Sequence, residues 1–495
     1  MITGATPPGA RPAHAALIGL FSLGLGLRLA TLAWPYSFFP DEVFQYLDVA
    51  HRHIFGYGIV TWEQRYGIRS AAFPLLLAGP MQLGAWLAPD GFGFLHAAKA
   101  ALALASLAII WGSYRIGSYQ SRTHGLFAGF VAAIWFEFIY FSTQALTEAF
   151  ALSLFFPAAA LLLDPQSHRP ARLVLAGALL AAAAVLRFQY GPALILFGAM
   201  CCGRDPKRWR ATALGAALAG LISIAIDLAQ GSPPFGWLFA NYHHNIVLGR
   251  SYAWTDGPSF YVVALGLFLA PWAGLQILLA WSASRRFPAL AAAAITNLIV
   301  HSLIAHKEYR YILLSSAILI LLAALGTVDF ALRSPPDPDP QRRTRALRRY
   351  AWAWVGASIV SALNGTNRWS WVTHSAELRA FQSLRTDPAA CGVGIYARHW
   401  SETGGYSYVH RRLPLYLLDG SGARQRLHQA QPAYNLIMAP RRAAQDLPSA
   451  YRPDRCFRTP RDRMEDACLF RRPGRCTPAA GQEIEFNRWL VRNDV

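Results

Sequence analysis

The sequence predicts an all-α polytopic membrane protein with a small soluble α/β domain at its C-terminal end. Hydrophobic residues make up 54% of the 495 residues and charged residues only 15%, whereas ordinary soluble domains carry about 25% charged residues. Apolar runs long enough to cross a bilayer recur through the first two-thirds of the chain. We therefore expect residues 1–363 to form the membrane domain and residues 364–495 to form an exported domain.

About eleven transmembrane helices are predicted along the chain. Residues 15–34 are long for a signal peptide and lack a clear small-residue cleavage site, so we interpret them as an uncleaved anchor. Residues 71–89 are interrupted by Pro74 and Pro80. If they cross, every later segment changes sides; the distribution of positive charge favours the alternative, that they lie on the membrane or dip into it without crossing. The other predicted crossings are residues 94–113, 124–141, 149–163, 173–186, 191–202, 211–229, 259–281, 288–304, 312–331 and 350–363.

The distribution of positive charge favours this topology. The net charge of +19 comes largely from arginines in short loops, which the positive-inside rule assigns to the cytoplasm. The acidic and mixed-charge motifs and the C-terminal domain then lie outside. If residues 173–202 instead form one crossing, residues 306–311 and Asp41 fall on opposite sides. Nucleic-acid binding is not indicated, because no basic patch interleaves with aromatic residues on a soluble domain.

Four of the six cysteines lie in the polar C-terminal region. In an exported domain they would form two disulfides, in one of three possible pairings. A zinc site is the rival interpretation, although no CxxC pair is present. The four residues are Cys391, Cys456, Cys468 and Cys476.

Two adjacent carboxylates, Asp41 and Glu42, follow the first predicted membrane helix. Charged groups at this place are costly unless they face water, a cavity or a partner. Asp41 could remove a proton from an attacking hydroxyl, or it could cap a helix predicted over residues 41–53. The apolar residues of that helix share one face at helical spacing, so we expect it to lie along the membrane interface.

A second polar motif, His-Lys-Glu-Tyr-Arg-Tyr at residues 306–311, lies between two apolar segments. It gathers the cations His306, Lys307 and Arg310 beside Glu308. An arginine fork and a lysine point charge suit an anionic leaving group such as a phosphate. The alternative is that these side chains only snorkel at the start of a helix.

The glycine-rich loop at residues 55–70 carries further polar and aromatic side chains. Its Trp62, Glu63 and Arg69 could line a sugar or lipid-phosphate site, or the segment could be an ordinary loop. No P-loop or dinucleotide-binding glycine motif occurs in the sequence, so a nucleotide site is not indicated.

Three polar residues stand at or between apolar segments. Glu148 lies at an outer helix end, where it could bind the acceptor sugar or serve as a helix-start carboxylate. Arg187 and Gln189 interrupt an apolar hairpin, so they should face the interior of the helix bundle. Arg187 could pair with Glu148 or bind phosphate, and the sequence leaves both open.

With these motifs, the chain resembles the GT-C glycosyltransferases. More specifically, it resembles glycosyltransferase family 22, the α-mannosyltransferases that elongate N-glycan precursors and GPI anchors. The resemblance covers about residues 15–330 and rests on residues 40–45, 58–70 and 306–310. Residues 245–249, before Tyr252 and Pro258, are similar to a later lumenal loop of the family. Where the family usually has His-Pro-Asp-Glu, Phe39 replaces the histidine.

The resemblance implies an inverting transferase that takes mannose from a polyprenyl-phosphate-linked donor to a lipid-linked glycan or glycolipid acceptor. It implies a fold with an amphipathic first external loop, consistent with residues 71–89 not crossing. It also implies no nucleotide sugar, no cofactor and usually no metal. Asp41 would be the general base, and Glu42 would orient it or bind sugar. The leaving phosphate would contact His306, Lys307, Arg310, Arg69 and Arg187. The acceptor or sugar would contact Glu148, Trp62, Glu63, Gln189 and Glu308.

Two alternatives remain beside this hypothesis. The first is a GT-C transferase for another sugar, such as arabinose or an aminosugar. The second is a transporter or flippase for a lipid-linked sugar, which should carry charges near the membrane midplane. The arginine-rich composition favours a bacterial inner-membrane protein whose active site faces the periplasm. In a eukaryote the site would face the lumen of the endoplasmic reticulum.

Overall fold

The computed structural model describes residues 11–33, 35–37, 39–165, 169–250, 255–333, 340–459 and 466–495. The chain forms two compact units. The helical unit comprises Met1–Leu32 and Lys99–Arg368, and the mixed unit comprises Ala33–Ala98 and Trp369–Val495. The predicted domain division after residue 363 remains a prediction.

The helical unit contains α-helices at every apolar segment that was predicted to cross, which confirms the mainly helical membrane fold. The helix Gly93–Ser118 begins in the mixed unit and continues in the helical unit. The other helices of eight residues or more are Arg11–Ala30, Arg122–Ile134, Thr147–Leu163, Pro170–Leu186, Gly191–Cys202, Pro206–Ala229, Phe260–Phe268, Ala273–Ser284, Pro288–Leu303, Leu313–Arg333 and Pro340–Leu363.

Only some of the described helices are long and apolar enough to span a membrane by themselves. In the described ranges, four helices are long and apolar enough to span a membrane, or up to six if each of two bent pairs counts as one span. Arg122–Ile134 and Phe136–Thr143 meet at 56°, and Phe260–Phe268 and Ala273–Ser284 meet at 103°. Five further apolar helices have 10–17 residues, fewer than the roughly 20 that a typical span needs. The count of eleven therefore remains a prediction.

A fully buried arginine joins the first helix to its neighbours in the helical unit. Arg28 donates hydrogen bonds to the hydroxyl of Ser106 and to the carbonyls of Ala132 and Ala133, at 2.8–3.1 Å. These carbonyls belong to the last turn of the helix that ends at Ile134, where the chain bends. A charged group inside a helix bundle is tolerated when it is satisfied in this way.

The mixed unit contains a five-stranded sheet, which confirms the predicted small α/β region. Its strands are β1 (Val393–Tyr396), β2 (Leu415–Leu418), β3 (Leu436–Pro440), β4 (Arg452–Phe457) and β5 (Ala467–Arg471), in the order β2-β1-β3-β5-β4. Strand β1 pairs in parallel with β2 and β3, whereas β5 is antiparallel to β3 and β4. Strands β1, β2 and β3 are buried along their whole length, as expected for strands covered on both faces.

Both disulfides lie in this unit. Cys456 and Cys468 face each other across β4 and β5, and Cys391 pairs with Cys476. The pairing selects one of the three arrangements that the sequence left open.

Helices of the mixed unit precede the strands in sequence, lie between them or follow them. They include Ala72–Leu87, the apolar segment predicted to belong to the first external loop. The others are Glu42–Leu47 (a π-helix), Asp48–Phe55, Trp62–Arg65, Ser375–Ser383, Gly405–Val409, Ala423–Gln429 and Phe486–Arg492.

The helix predicted over residues 41–53 is present, but its surroundings differ from the expectation. Its apolar side chains are buried except for the partly exposed Val49, and so are the polar Glu42, Gln45 and Asp48. C-terminal aromatic residues cover this segment, since the ring of Phe44 lies 5.1 Å from that of Trp400. The expectation that one face lies along the membrane interface is therefore wrong for its first two turns. The sequence pattern could not reveal a partner that comes from the far end of the chain.

Candidate active site

The acidic pair stands at the start of a continuous helical segment in the mixed unit. Asp41 precedes the π-helical turn Glu42–Leu47, and such turns are frequent at functional sites. Glu42 is fully buried, whereas Asp41 is partly exposed. Of the two predicted catalytic carboxylates, Asp41 is therefore the one that solvent or a substrate can reach.

A third carboxylate, Glu63, belongs to the same unit. The side-chain amide of Gln45 donates a hydrogen bond of 3.0 Å to Glu63. Burial of the carboxylate raises the pKa of Glu63 above its ordinary value. The positive charge of Arg69 opposes this rise, and the negative charge of Asp41 adds to it. These interactions connect Glu63 electrostatically with both Asp41 and Arg69.

Two glutamine side chains near these carboxylates have buried carbonyl oxygens that accept no hydrogen bond from the described residues. Gln45 donates to Glu63, and Gln64 donates to the carbonyl of Phe44 at 2.7 Å, but the Oε1 atoms of both glutamines remain unsatisfied. Such atoms are costly unless a ligand or water supplies a donor. The hydroxyl groups of a sugar are suitable donors. Sequence analysis did not select either glutamine as a site residue.

In the helical unit, Glu148 is surrounded by cations. Its Oε1 atom lies 3.2 Å from Nη1 of Arg187 and 3.7 Å from Nη1 of Arg310. All three side chains are buried. The structure thus shows the Arg187–Glu148 pair that the sequence left as one of two possibilities.

Glu308 forms the second half of this charged cluster. Arg310 donates to it from Nε at 2.8 Å and from Nη2 at 2.9 Å, in a two-pronged contact. The hydroxyl of Tyr311 donates at 2.9 Å, and Nε2 of His306 lies 3.1 Å away. The guanidinium of Arg187 also lies 4.3 Å from the ring centre of Tyr311. The motif at residues 306–311 therefore folds around one carboxylate.

Lys307 points elsewhere. Its ammonium donates to the carbonyls of His301 and Ser302 at 3.1 and 2.9 Å and to that of Ile304. These carbonyls lie at the C-terminal end of the helix Pro288–Leu303, where a cation is favourable. In this structure Lys307 therefore caps a helix and does not contact the Glu308 carboxylate, which sequence analysis had grouped with it.

The remaining predicted residues have separate surroundings. Gln189 lies in the short 3₁₀ turn Phe188–Tyr190, and its buried Oε1 atom has no hydrogen-bond partner among the described residues. The ring of Trp62 lies 6.5 Å from that of Tyr66. Tyr252, part of the family-like loop, lies outside the described residues. Among the parts of the chain that the structure describes, no three His, Cys, Asp or Glu side chains form a candidate metal site.

Glu137 is a buried carboxylate that sequence analysis did not select. Glu137 accepts hydrogen bonds from the indole of Trp135 at 2.9 Å, from the hydroxyl of Ser316 and from that of Tyr309. A single acidic residue inside the apolar segment at residues 124–141 was the available signal. The predicted site residues thus fall into two groups. One group lies in the mixed unit around Asp41, and the other lies in the helical unit around Glu148 and Glu308.

The family model and the similar proteins found by sequence comparison are described as mannosyltransferases. The family described as the Alg9-like mannosyltransferase family matches residues 19–410. GPI mannosyltransferase 3 of Yarrowia lipolytica is 27% identical over 409 residues, which are 79% of this chain and 75% of that protein. GPI alpha-1,2-mannosyltransferase 3 of Danio rerio is 26% identical over 298 residues, or 56% of this chain and 53% of the relative.

Other matches are shorter or rest on structure. GPI mannosyltransferase 3 of Drosophila melanogaster is 47% identical over 75 residues, which are 15% of this chain and only 13% of that protein. Among solved structures, ArnT from Cupriavidus metallidurans bound to undecaprenyl phosphate superposes with a TM-score of 0.59 and 14% identity, covering 96% of this chain and 100% of ArnT. The same protein in the apo state gives a TM-score of 0.61. At this identity the likeness shows a shared fold.

Proposed function

The chain belongs to the Alg9-like mannosyltransferase family, and from this premise we propose that it is an inverting glycosyltransferase. It transfers mannose from a polyprenyl-phosphate-linked donor to a lipid-linked glycan or glycolipid acceptor at the outer face of the membrane. The observation that carries the proposal is the buried cluster of Arg187 and Arg310 with two carboxylates, which offers an anion site at the start of a membrane helix. The lipid phosphate bound to ArnT, which shares this fold, supports the class of donor.

Asp41 is the proposed general base. The acceptor hydroxyl attacks the anomeric carbon, and its proton passes to the Asp41 carboxylate as the new C–O bond forms. The bond from the anomeric carbon to the phosphate oxygen breaks on the opposite face, and its electron pair stays on the phosphate. The partial exposure of Asp41 suits this role, and the burial of Glu42 suits a residue that orients it.

The leaving lipid phosphate is the proposed partner of the basic side chains. Arg187, Arg310 and His306 would stabilise the negative charge that grows on the phosphate oxygens during the reaction. Arg69 is a further basic side chain proposed to bind phosphate. Lys307 would act indirectly, because its ammonium fixes the chain that carries its neighbours to the preceding helix.

The sugar and the acceptor are the proposed ligands of the remaining polar groups. The unsatisfied carbonyl oxygens of Gln45, Gln64 and Gln189 would accept hydrogen bonds from sugar hydroxyls. Trp62 would offer an aromatic face to a sugar ring, and Glu63 and Glu148 would each accept hydrogen bonds from hydroxyl groups. We propose that no metal or other cofactor takes part.

The proposed cellular location of the protein rests on the disulfides and on the distribution of positive charge. Disulfides such as Cys391–Cys476 persist in oxidising compartments, which supports an exported position for the C-terminal region. We propose the inner membrane of a bacterium, with the active site facing the periplasm and a bacterial polyprenol as the carrier.

The donor can be tested with purified protein and membrane lipid extract. Radiolabelled mannose on undecaprenyl phosphate is compared with GDP-mannose and with undecaprenyl phosphates that carry arabinose or an aminosugar. The proposal predicts transfer from the mannose lipid alone, with inversion at the anomeric carbon. Transfer only from another lipid-linked sugar would replace mannose in the proposal. Absence of transfer together with movement of a lipid-linked sugar across vesicles would favour a flippase.

A further inference from the structure

We propose that Glu308 is an internal counter-ion that takes the place of the donor's phosphate before the donor binds and moves away when the donor binds. The inference rests on the proposed function, because it requires a ligand that carries a phosphate. It gives Glu308 a role that differs from the sugar contact expected from the sequence.

The contacts of Glu308 are those that a phosphate would make. Both prongs of the Arg310 guanidinium reach its carboxylate, at 2.8 and 2.9 Å. The arginine fork fits carboxylate and phosphate oxygens equally well. Tyr311 and His306 approach the same carboxylate at 2.9 and 3.1 Å, so they could serve further phosphate oxygens. The donors of this cradle, Arg310, Tyr311 and His306, are thus already arranged around an anion.

Glu308 is more exposed than the other charged residues of the cluster, which would allow its side chain to move out. The side chain of Glu308 is 24% exposed, whereas those of Arg310 and Glu148 are 3% and 1% exposed. Arg310 is also held by Glu148 at 3.7 Å. Glu308 precedes the 3₁₀ turn Tyr309–Ile312 with an extended backbone, and its side chain makes no capping hydrogen bond there. Glu308 can therefore swing towards water while the backbone of the turn stays in place.

The charge balance of the cluster favours replacement of Glu308 by the donor's phosphate over entry of the phosphate beside Glu308. With His306 neutral, Arg187 and Arg310 carry two positive charges, and Glu148 and Glu308 carry two negative charges. A polyprenyl phosphodiester carries one negative charge. If it entered while Glu308 stayed, the buried cluster would hold an excess negative charge, which is expensive away from water. If Glu308 leaves, the cluster stays neutral.

Glu308 can compete with the donor's phosphate for Arg310, Tyr311 and His306 because its carboxylate is ionised. Burial alone would raise the pKa of Glu308, but the charge of Arg310 and the hydrogen bonds from His306 and Arg310 hold that pKa below its ordinary value. The same carboxylate could return to the cradle after transfer. Its negative charge would then help to expel the polyprenyl phosphate product.

The test measures inhibition of the wild-type enzyme and of Glu308→Gln by undecaprenyl phosphate, together with kcat and KM for the donor. If Glu308 fills the cradle about nine-tenths of the time, its neutralisation lowers the inhibition constant about tenfold. KM for the donor should fall in parallel. The kcat should fall too, because the product leaves more slowly. If Glu308 instead only holds the cluster together, Glu308→Gln should raise the inhibition constant of undecaprenyl phosphate and the KM for the donor.

Asp256→Asn is the matched control. Asp256 is an exposed carboxylate whose charge acts on Lys307, so its removal changes the local charge equally without emptying the cradle. We expect its inhibition constant to stay within about twofold of wild type. Glu308→Asp is a second variant, in which the shorter side chain should also tighten binding. It keeps the proposal testable if Glu308→Gln does not fold.

Two outcomes would overturn the inference. Weaker binding of undecaprenyl phosphate by folded Glu308→Gln or Glu308→Asp would show that Glu308 helps to hold the ligand. If Glu308→Gln lowers the inhibition constant only as much as Asp256→Asn does, the effect is one of general electrostatics and Glu308 does not occupy the phosphate position. In both cases the wild type still transfers mannose and the proposed function stands. If the wild type neither transfers mannose nor binds undecaprenyl phosphate, the proposed function is wrong, and the inference about Glu308 is wrong as well.

Discussion

The buried carboxylate of Asp48 accepts a hydrogen bond of 2.6 Å from the backbone amide of Ser407, 359 residues later in the chain. Its other oxygen accepts a bond of 2.6 Å from the amide of Ile59. A Cβ atom on Gly405 would lie 2.9 Å from this carboxylate, and Gly405 has a φ of +54°. Asp48 therefore ties the helix that follows Asp41 both to the glycine-rich loop and to a C-terminal segment of the same unit.

Replacement of Asp48 by asparagine should weaken this connection. The asparagine amide can accept from only one of the two backbone N–H groups and would turn its own donors towards the other. We expect a loss of about 1–3 kcal/mol in the free energy of unfolding and slower transfer, because the segment carrying Asp41 loses its support. Thermal unfolding in detergent and the transfer assay measure the two effects. Asp419→Asn, at a site near the end of β2, is the control, and equal behaviour of the two variants would refute this role.

A buried histidine, His51, and a partly buried one, His410, predict sensitivity to acid. Nε2 of His51 lies 3.0 Å from Nδ1 of His410. Burial lowers the pKa of His51 to about 3 and that of His410 to about 4, and Arg385 further lowers the latter. Because the ordinary value is about 6.5, the unfolded chain binds protons first. The stability from the neutral pair is complete above pH 6.5 and is lost as the pH falls towards 4.

The comparison of wild type with His410→Phe isolates this effect. Asp48 acts in the opposite direction over part of the range, because burial raises its pKa to about 6. It is present in both proteins and cancels in the difference. The unfolding temperature should fall less between pH 6.5 and 4.5 in His410→Phe than in wild type. An equal fall in both proteins would show that His410 does not contribute.

The two disulfides should contribute unequally to stability. Cys391–Cys476 closes a separation of 85 residues, and Cys456–Cys468 closes one of 12. The chain-entropy model predicts about 4–5 kcal/mol for the longer loop and about 3 kcal/mol for the shorter one. Double Cys→Ser variants of each pair can be compared by denaturant unfolding. A larger loss from the Cys456–Cys468 variant would contradict the prediction.

Gly215 in the helix Pro206–Ala229 permits close packing against the helix Pro170–Leu186. A Cβ atom on Gly215 would lie 1.8 Å from the carbonyl oxygen of Val174, whereas a Cβ atom on Gly220 in the same helix meets nothing within 4 Å. Small residues allow such backbone approach in membrane helices. Gly215→Ala should therefore cost about 1–3 kcal/mol, and Gly220→Ala should be neutral or stabilising. Similar unfolding temperatures for both variants in detergent would contradict this packing.

Sequence patterns predicted the parts of the fold that depend on local chemistry. Every apolar segment predicted to cross is helical, because an apolar run must satisfy its backbone internally in a membrane. The helix after Asp41 was also expected. The number of spans was not settled by sequence, since bends such as that at Trp135 divide an apolar run without an obvious signal.

The partners of the polar residues could not be read from the sequence. Motif reasoning grouped Lys307 with Arg310, yet the carbonyls at the preceding helix end compete for the lysine and bind it. The bond between Asp48 and Ser407 depends on tertiary structure alone. The unsatisfied oxygens of Gln45 and Gln64 appear only when every neighbouring donor has a position.

The most direct test of the catalytic assignment compares mannose transfer by wild type, Asp41→Asn and Asp90→Asn. Asp90 is an exposed carboxylate of the same unit, so its variant controls for the loss of one charge. With all three proteins folded, we predict that Asp41→Asn loses about 10²–10⁴-fold in kcat and still binds the donor, while Asp90→Asn retains wild-type activity. Transfer by folded Asp41→Asn at close to the wild-type rate would contradict the assignment of Asp41 as the general base.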